Sequence, residues 1–375
     1  MRAVYSRQPR TNSPTPLPPN PPVLMGGEMQ AVLSSADRAL GRLDGAVQTL
    51  PAPDFFVLMY VRKEAVLSSQ IEGTQSSLDD LLAAEAQVLD PDRPKDVGEV
   101  LNYVAAVRAG LERLKDLPVS VRLMREMHAR LLEGVRGDHR ARGEFRRVQN
   151  WIGPEGASLA EATFVPPPPD LVPDAMADLE RFLHVADDLP VLFKIGLAHA
   201  QFETIHPFLD GNGRLGRLLI TFLLCEHRIL QQPVLYLSYH LKRHRQEYYA
   251  RLQAIRDEGD WEGWLRFFLE GVRRVAEEAT VTSRRVVDLR ERHRVLIAER
   301  FGYATGNGLK VLEQLYATPV VTVHRVREIT GASFQAANTL VARFVEYGIL
   351  TEFTGQARNR RFRYSPYIDL FAEGT

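Results

Sequence analysis

The sequence predicts a mainly α-helical protein with a small β-hairpin flap and a C-terminal winged helix-turn-helix domain. Three observations support this fold class. Long stretches before residue 110 and after residue 170 repeat apolar side chains at helical spacing. Residues 143–169 break that rhythm with Gly-Pro and Gly-Ala turns and end in four prolines. Residues 300–375 show a short helix, a longer helix and two extended runs, the order of a winged helix-turn-helix.

The composition is typical of a globular protein of two or three domains. The chain has 375 residues, of which 45% are apolar and 25% charged. Its 47 basic and 47 acidic residues cancel, which argues against a general polyanion binder but allows a local basic face. There is one cysteine, no apolar run of membrane-spanning length, and no signal-peptide-like apolar stretch near the start. We therefore expect a cytoplasmic protein that does not enter membranes.

We expect four segments along the chain. Residues 1–27 are rich in Pro, Ser and Asn and are predicted to form an extended arm. Residues 28–109 are predicted to be an N-terminal helical region, because alanine and leucine recur there at helical spacing. Residues 110–285 are the expected catalytic core, and residues 300–375 are the expected winged-helix domain.

The segment HPFLDGNGRLGR, residues 206–217, is the most informative part of the sequence. Its Gly-Asn-Gly turn lets backbone N–H groups converge on an anion, and the turn leads into an apolar helix beginning near Arg214. A helix N-terminus behind such a loop is a ready phosphate site. Arg214 and Arg217 are three residues apart and share a helical face. Two guanidinium groups beside backbone donors suit a polyphosphate rather than a single carboxylate.

Two other side chains of this segment indicate chemistry. Asp210 supplies a hard oxygen ligand that suits Mg²⁺ bridging phosphate oxygens. His206 is a base that works near neutral pH and stands just before the loop. An alternative is a metal hydrolase that uses His199, His206 and Asp210. It is weaker, because the spacing is wrong for a helical ligand pair and His199 is more simply a helix residue.

The HPFLDGNGRLGR segment resembles the signature of the Fic family of nucleotidyltransferases. That signature is His-x-Phe-x-Asp/Glu-Gly-Asn-Gly-Arg-x-x-Arg, and every fixed position is present. The resemblance extends over roughly residues 110–270. "NWIG" followed by "FVPPPP" looks like the family's target-docking flap, and residues 236–269 are similar to the segment that follows the signature. The resemblance implies a Fic-type helical core, often accompanied by a winged-helix domain.

The resemblance also implies a protein adenylyltransferase that uses ATP and Mg²⁺. His206 would deprotonate a Ser, Thr or Tyr hydroxyl of a target protein, which would attack the α-phosphorus of ATP and release pyrophosphate. Asp210 would hold Mg²⁺ and Arg217 would take the γ-phosphate. The other residues implied to contact the phosphates are Gly211, Asn212, Gly213 and Arg214. Tyr248 and Tyr249 are both candidates for packing the adenine, and the sequence does not choose between them.

The stretch SSQIEG, residues 68–73, ends a predicted helix with a carboxylate. Gly73 is placed for a left-handed cap, and Glu72 before it faces the negative end of the helix dipole at a cost of about 0.3–1 kcal/mol. The stretch resembles the inhibitory motif of the Fic family, Ser/Thr-x-x-x-Glu-Gly/Asn, with Ser68, Glu72 and Gly73 in the fixed places. The resemblance implies that Glu72 pairs with Arg217 and occupies the cation meant for the γ-phosphate.

Several alternatives remain open. Some Fic relatives transfer UMP, phosphocholine or phosphate, and in others the inhibitory glutamate helps to remove AMP. The chain could also be a DNA-binding regulator that uses its Fic domain as a nucleotide sensor, because arginines crowd the expected wing. These are Arg358, Arg360, Arg361 and Arg363. The target is not evident from the sequence, although automodification is expected, and family dimers suggest a homodimer.

Overall fold

The fold is described from a computed structural model of the chain, which covers residues 14–50, 53–86, 94–153, 158–355 and 359–372. These residues are mainly α-helical, with one small antiparallel sheet of three strands. The mainly helical fold class predicted from the sequence is therefore confirmed. None of the helices in these ranges is both long and apolar enough to cross a membrane.

The helices are α1 (Gly27–Gln48), α2 (Pro53–Ile71), α3 (Leu78–Glu85), α4 (Val97–Arg113), α5 (Val121–Leu131), α6 (Val172–His184), α7 (Val191–Ile205), α8 (Asn212–Glu226), α9 (Ser238–Arg243), α10 (Arg245–Glu258), α11 (Trp261–Arg300), α12 (Thr305–Ala317), α13 (Val323–Thr330), α14 (Phe334–Glu346) and α15 (Ser365–Ile368). The strands are β1 (Val320–Thr322), β2 (Thr351–Glu352) and β3 (Arg361–Arg363). Short 3₁₀ turns occur at Leu159–Glu161, Pro169–Leu171 and Gly302–Ala304.

Helices α7 and α8 form the buried centre of the protein. Every residue from 192 to 205 of α7 and from 212 to 224 of α8 is buried. The apolar surface of α8 extends most of the way round the helix, and the sequence therefore predicts that it is buried. The connecting loop starts at His206 (φ +48°) and ends at Gly211 (φ +74°), both left-handed. The HPFLDGNGRLGR segment therefore reverses the chain between two buried helices.

The SSQIEG stretch lies at the C-terminal end of α2. The N–H of Glu72 donates to the carbonyl of Ser69 (3.0 Å), and Gly73 adopts φ +97°. A positive φ is strained for a residue with a Cβ, so a glycine is favoured where the helix stops. The helix end expected from the sequence is present, and it directs the chain toward α3.

The expected β-hairpin flap is present in a minimal form: within the described residues its two extended runs meet in one antiparallel bridge. Among the described residues between 150 and 165, this bridge joins Ile152 and Phe164, and it does not extend into a ladder. The physical reason lies in the sequence that follows the turn. Ser158 and Glu161 cap a 3₁₀ turn, and the prolines at 166–169 lack the N–H groups that a ladder needs. Residues 154–157, at the tip, lie outside the described ranges.

Residues 305–363 have the element order that the sequence predicted for a winged helix-turn-helix. Three helices, α12 to α14, are followed by β2 and β3, and the sheet order is β1-β3-β2. Strand β1, which the sequence analysis missed, pairs Val320 with Arg363. It is only three residues long, too short for an alternating pattern to be recognised. The assignment as a winged helix stays a prediction.

Two of the expected segment boundaries fall inside helices. The boundary at 109/110 lies within α4, and the interval 285–300 lies within α11, a continuous helix of 40 residues. The C-terminal residues also pack on the start of α2. The Tyr367 hydroxyl donates to the Phe55 carbonyl (3.3 Å), and the Phe371 ring lies 5.5 Å from that of Tyr60. The C-terminal part is thus attached to the helix that ends in SSQIEG.

The described part of the predicted N-terminal arm lies on the helical core. Its Thr15 carbonyl accepts a hydrogen bond from Gln201 of α7 (2.9 Å), and the Leu24 N–H donates to Glu262 of α11 (2.9 Å). Residues 1–13 of the arm lie outside the described ranges.

Candidate functional site

The turn before α8 is closed by the side chain of Asn212. Its Oδ1 accepts a hydrogen bond from the Phe208 N–H (2.9 Å), and its Nδ2 donates to the Phe208 carbonyl (2.8 Å). Asn212 is only 2% exposed, so both bonds lie in the interior. The asparagine side chain is therefore used inside the loop, and only its backbone N–H remains for a ligand.

The sequence predicts an anion site at the N-terminus of α8, where the structure places unpaired helical N–H groups. Its first helical hydrogen bond runs from the Leu215 N–H to the Gly211 carbonyl (3.1 Å), so the preceding N–H groups have no intrahelical partner. The Glu72 carboxylate already lies there, so close to Gly213 that an added Cβ would collide with its Oε1. Glu72 stands at the negative end of its own helix but at the positive end of α8, which favours an anion.

Arg217 is held by the end of α2. Its Nε donates to Ser68 Oγ (2.8 Å), and its Nη2 donates to the Ser68 carbonyl (2.9 Å) and to Glu72 Oε1 (2.9 Å). These bonds lie in the interior, since Ser68 is fully buried and Arg217 is 3% exposed. The structure thus brings together the residues that the sequence analysis paired.

Glu72 and Arg217 each stabilise the ionised form of the other. Burial raises the pKa of Glu72, but Arg217 outweighs it, so the pKa is lowered overall. Burial likewise opposes the charged form of Arg217, and Glu72 raises the pKa of the guanidinium above its usual value. Both groups are therefore ionised at neutral pH. Solvent reaches 32% of the Glu72 side chain and 2% of Arg217, so a ligand arriving from solvent meets the carboxylate first.

Arg214 is buried and paired on the other side of α8. Its Nη1 lies 2.9 Å from Glu99 Oε2, and its Nη2 lies 3.8 Å from Asp210 Oδ1. Glu99, on α4, also faces Arg136 at 3.5 Å. Because Arg214 is 1% exposed and already has a carboxylate partner, it both fixes the start of α8 and places positive charge behind the anion site.

His206 is neutral and fixed at the C-terminal end of α7. Its carbonyl accepts a hydrogen bond from Arg146 Nε (2.9 Å). Burial, aided by Arg256 and opposed by Glu72, lowers the pKa of His206 from 6.5 to about 4. An imidazole with this pKa is unprotonated at physiological pH and can accept a proton.

Asp210 is the residue expected to hold Mg²⁺. Solvent reaches 23% of its side chain, and the guanidinium groups of Arg140 and Arg214 lie 3.8 Å from the carboxylate. Across the described ranges, no group of three or more His, Cys, Asp or Glu side chains is arranged for a metal. Mg²⁺ at phosphates commonly takes one or two carboxylates and completes its shell with phosphate oxygens and water. Asp210 fits that arrangement only together with a bound nucleotide.

Two family models match the chain. "Fic/DOC family N-terminal" matches residues 30–112, and "Fic/DOC family" matches residues 118–224. Together they cover half of the sequence, including the SSQIEG stretch and the HPFLDGNGRLGR segment. The chain belongs to the Fic/DOC family.

Curated relatives of this Fic chain carry the name protein adenylyltransferase Fic. The protein of the mosquito Culex quinquefasciatus is 31% identical over 210 residues, which is 54% of this chain and 37% of that protein. The protein of Drosophila erecta is 30% identical over 201 residues, or 52% and 36% of the two chains. The match thus spans well under half of the length of these relatives.

Solved Fic structures share the fold. A Fic family protein from Desulfovibrio desulfuricans G20 superposes with a TM-score of 0.61 at 20% identity, covering 92% of this chain and 97% of that one. A Fic domain containing signaling protein from Bacteroides thetaiotaomicron superposes with a TM-score of 0.53 at 18% identity, covering 66% and 97%. At these identities the likeness supports the fold alone.

The two adjacent tyrosines of this Fic protein have different surroundings. Tyr248 is 1% exposed, and its hydroxyl donates to Nε2 of His199 (2.9 Å). Tyr249 is 42% exposed, and burial together with Glu72 raises its pKa while Arg217 opposes the shift. Tyr249 therefore lies near the site and is open to a ligand, whereas Tyr248 is a core residue.

The metal-hydrolase alternative is wrong. His199 uses both ring nitrogens inside the core: Nδ1 donates to the Gly216 carbonyl (2.9 Å), and Nε2 accepts from Tyr248. Burial lowers the pKa of His199 to about 4, which keeps it neutral in this role. It is a structural histidine that connects α7, α8 and α10.

The sequence analysis missed residues that position the site from distant segments. His128 of α5 stacks on Phe208 (3.8 Å between ring centroids) and donates from Nε2 to the Asp210 carbonyl, 82 residues away. Arg146 reaches the carbonyl of His206, 60 residues away. Neither residue belongs to a local motif, because its partners come together only through the fold.

Two arginines of the expected wing are engaged within the chain. Arg363 pairs with Asp79 of α3 (2.7 Å) and with Asp369 (2.9 Å), and Arg361 Nη1 donates to the Ala86 carbonyl (3.1 Å). These contacts attach the C-terminal sheet to the N-terminal helices and engage both guanidinium groups within the chain.

A third wing arginine also has an internal contact. Arg360 Nη2 donates to Oδ1 of Asn338 on α14 (3.1 Å), one of the few side chains there that could read a base. Arg358 lies outside the described residues.

Proposed function

We propose that the protein transfers AMP from ATP to a Ser, Thr or Tyr hydroxyl of a target protein, and that Glu72 restrains this reaction. One arrangement carries the proposal: the N-terminus of α8 joins free backbone donors, two buried arginines and the neutral His206. The name protein adenylyltransferase Fic of the curated relatives supports the same reaction.

The triphosphate of ATP would lie at the N-terminus of α8. Backbone N–H groups of the first turn would donate to phosphate oxygens, and Gly213 leaves room for them to approach. Arg217 would meet the γ-phosphate, in the place that the Glu72 carboxylate now occupies. Arg214 would add positive charge from behind, since it stays paired with Glu99. The site thus aligns the nucleotide mainly through fixed charges.

The transfer itself needs one proton acceptor. Nucleophilic attack by the target hydroxyl on the α-phosphorus forms a new P–O bond and breaks the bond to the pyrophosphate oxygen. His206 takes the hydroxyl proton, and pyrophosphate leaves with the electron pair of the broken bond. Alignment and charge neutralisation supply most of the acceleration in phosphoryl chemistry, and the base adds about 10²–10⁴-fold.

Asp210 would hold Mg²⁺ against the phosphates, and the ion would neutralise charge on the α- and β-phosphates when bound. His128 fixes the loop at this point, because its ring donates to the Asp210 carbonyl. Asp210 is thereby kept at the mouth of the anion site. Automodification, a homodimer and a cytoplasmic location remain predictions from the sequence.

The experiment that tests the proposed function follows the position of the label in ATP. With a cell lysate as target source, we expect the Glu72→Gly protein to add protein-bound label from ATP labelled at the α-phosphate. It should add none from ATP labelled at the γ-phosphate beyond the label that the lysate alone incorporates. Mass spectrometry of the labelled bands should then place AMP on a hydroxyl side chain. Transfer of the γ-label instead would identify a phosphotransferase, and transfer from UTP in preference to ATP would identify a uridylyltransferase.

The adenine is expected to pack on Tyr249 rather than on Tyr248. Replacing Tyr249 by alanine should raise the KM for ATP about three- to tenfold with a smaller change in kcat, because one aromatic contact is lost. Tyr248→Phe should leave the KM within about twofold, since the Tyr248 hydroxyl serves His199. Steady-state kinetics at varied ATP concentration measures both. A larger KM effect from Tyr248→Phe than from Tyr249→Ala would reverse the assignment.

The contacts of the described wing arginines do not favour the DNA-binding alternative. Three of the four wing arginines have partners within the chain, and the fourth lies outside the described residues. The C-terminal part therefore serves, in the described structure, to brace the N-terminal helices.

A further inference from the structure

Glu203 is a buried carboxyl group that the proposed reaction does not use. It lies on α7, three residues before His206, and is 6% exposed. Within the described ranges its Oε1 has no hydrogen-bond partner. A buried carboxylate without partners is costly, so its presence beside the site requires a physical account.

One face of α8 has recesses for two carboxyl groups. Gly213, Gly216 and Arg217 share this face, because they are separated by three and four residues. A Cβ at Gly213 would collide with Oε1 of Glu72, and a Cβ at Gly216 would collide with Oε1 of Glu203. The two glycines therefore admit the two carboxyl groups side by side on the face that carries Arg217.

The charges around Glu203 leave its protonation balanced near neutral pH. Burial raises the pKa of Glu203, Arg217 and Arg256 oppose the shift, and Glu72 adds to it. The net pKa is about 7. Tyr248 of α10 also faces the carboxyl group but is uncharged at neutral pH, because burial raises the pKa of its hydroxyl. On the same helix, His206 is neutral.

We propose that Glu203 is a second counter-ion of Arg217, ionised when Glu72 is displaced and protonated again when the γ-phosphate of ATP arrives. When Glu72 leaves, Arg217 loses its carboxylate partner and Glu203 loses the nearby negative charge, so both effects favour the ionised carboxylate. A bound γ-phosphate restores negative charge beside Arg217, and Glu203 takes up a proton from solvent. This inference rests on the proposed function, since it places the γ-phosphate at Arg217.

Glu203 is therefore a positioning residue that acts through Arg217. Ionised, it keeps the guanidinium charge balanced in the empty active site. Protonated, it leaves the full positive charge of Arg217 to the phosphate. ATP binding then includes the uptake of one proton, so the affinity must fall as the pH rises above the pKa of the ATP-free form, at most tenfold per pH unit.

The test compares ATP binding by the Glu72→Gly protein and by the Glu72→Gly/Glu203→Gln protein between pH 6.5 and 8.5. Glutamine has the shape of the protonated glutamate and cannot ionise. We expect the Kd for Mg-ATP to rise about three- to tenfold from pH 7 to pH 8 in the first protein and to stay nearly level in the second. Glu258→Gln, an exposed carboxylate at the end of α10, is the matched control and should keep the slope.

Calorimetry in two buffers of different ionisation enthalpy counts the protons directly. We expect uptake approaching one proton per ATP with Glu72→Gly and close to none in the double variant, with Glu203→Met as a second neutral replacement if the glutamine variant does not fold. Equal slopes and equal proton counts in both proteins would overturn the inference alone. Absence of ATP binding at every pH would overturn it together with the proposed function.

Discussion

Replacing Glu72 by glycine is expected to raise the rate of adenylyl transfer at least about tenfold. The carboxylate lies 2.9 Å from Nη2 of Arg217 and covers the N-terminus of α8, so it competes with the triphosphate for both. Couplings of this kind are typically worth 1–3 kcal/mol, or about 5–150-fold. Incorporation of label from α-labelled ATP, into the protein itself and into lysate proteins, measures the change.

A matched control is available at another helix end. Asp116 is an exposed carboxylate shortly after α4, so Asp116→Gly removes the same charge and adds the same backbone freedom away from Arg217. Its labelling should equal that of the unmodified protein. Equal labelling by folded Glu72→Gly protein and the unmodified protein would show that Glu72 does not restrain the reaction.

The same substitution should lower the thermal stability of the nucleotide-free protein. Arg217 would keep its bonds to Ser68 but lose its ion pair with Glu72. The counter-ion proposed to replace it, Glu203, must ionise in the interior, which is destabilising. Saturating ATP should then raise the Tm of Glu72→Gly more than that of the unmodified protein, because the triphosphate supplies the missing charge. Thermal unfolding with and without Mg-ATP measures this difference.

The substitution removes only the carboxylate and leaves α2 in place. That helix is embedded: Glu64, one turn before Ser68, accepts hydrogen bonds from Tyr103 (3.1 Å) and from Ser238 Oγ (2.5 Å). Moving the whole helix would strip these groups of their partners at a high cost. Release of Arg217 therefore needs a change at the last residues of the helix, where Gly73 ends it.

Local features of the site were predictable because short stretches of sequence determine them. Gly211 and Gly73 both adopt a positive φ, which is strained for a residue with a Cβ. A glycine at each of these turns therefore predicts that conformation. The burial of α8 follows from an apolar surface that extends most of the way round the helix. The sequence near Glu72 also shows that a carboxylate lies at the unfavourable end of its helix. It does not show what compensates for this, since the compensating dipole and cation belong to a helix that begins 140 residues further on.

Other parts of the site could not be predicted because they depend on packing between distant segments. Glu99 accepts a hydrogen bond from Arg214 across 115 residues, and His128 donates to the Asp210 carbonyl across 82. Neither has a spacing relative to the HPFLDGNGRLGR segment that sequence alone would reveal. The sequence did not choose between Tyr248 and Tyr249 for the same reason. Adjacent residues of a helix point to different sides, but only the packing of neighbouring elements decides which side is buried.

Replacing His206 by alanine is expected to lower adenylyl transfer by about 10²–10⁴-fold while ATP binding changes less than about twofold. The imidazole supplies the proton acceptor and, in the proposed arrangement, makes no contact with the triphosphate. The comparison is best made in the Glu72→Gly background, where the starting rate is high. His324→Ala, a surface histidine on α13 that is 62% exposed, is the matched control and should leave the rate unchanged. Near-normal labelling by folded His206→Ala protein would exclude His206 as the base.

The pH dependence of transfer distinguishes a base from a merely structural histidine. Below pH 7 and at saturating ATP, the rate should fall only as His206 becomes protonated. Because burial and Arg256 lower its pKa to about 4, the acid limb should lie below pH 6.5, the ordinary value for histidine. Arg256→Gln removes a positive charge near the imidazole, so it should raise that pKa and move the limb to higher pH. An acid limb that stayed in place in Arg256→Gln would assign the titration to another group.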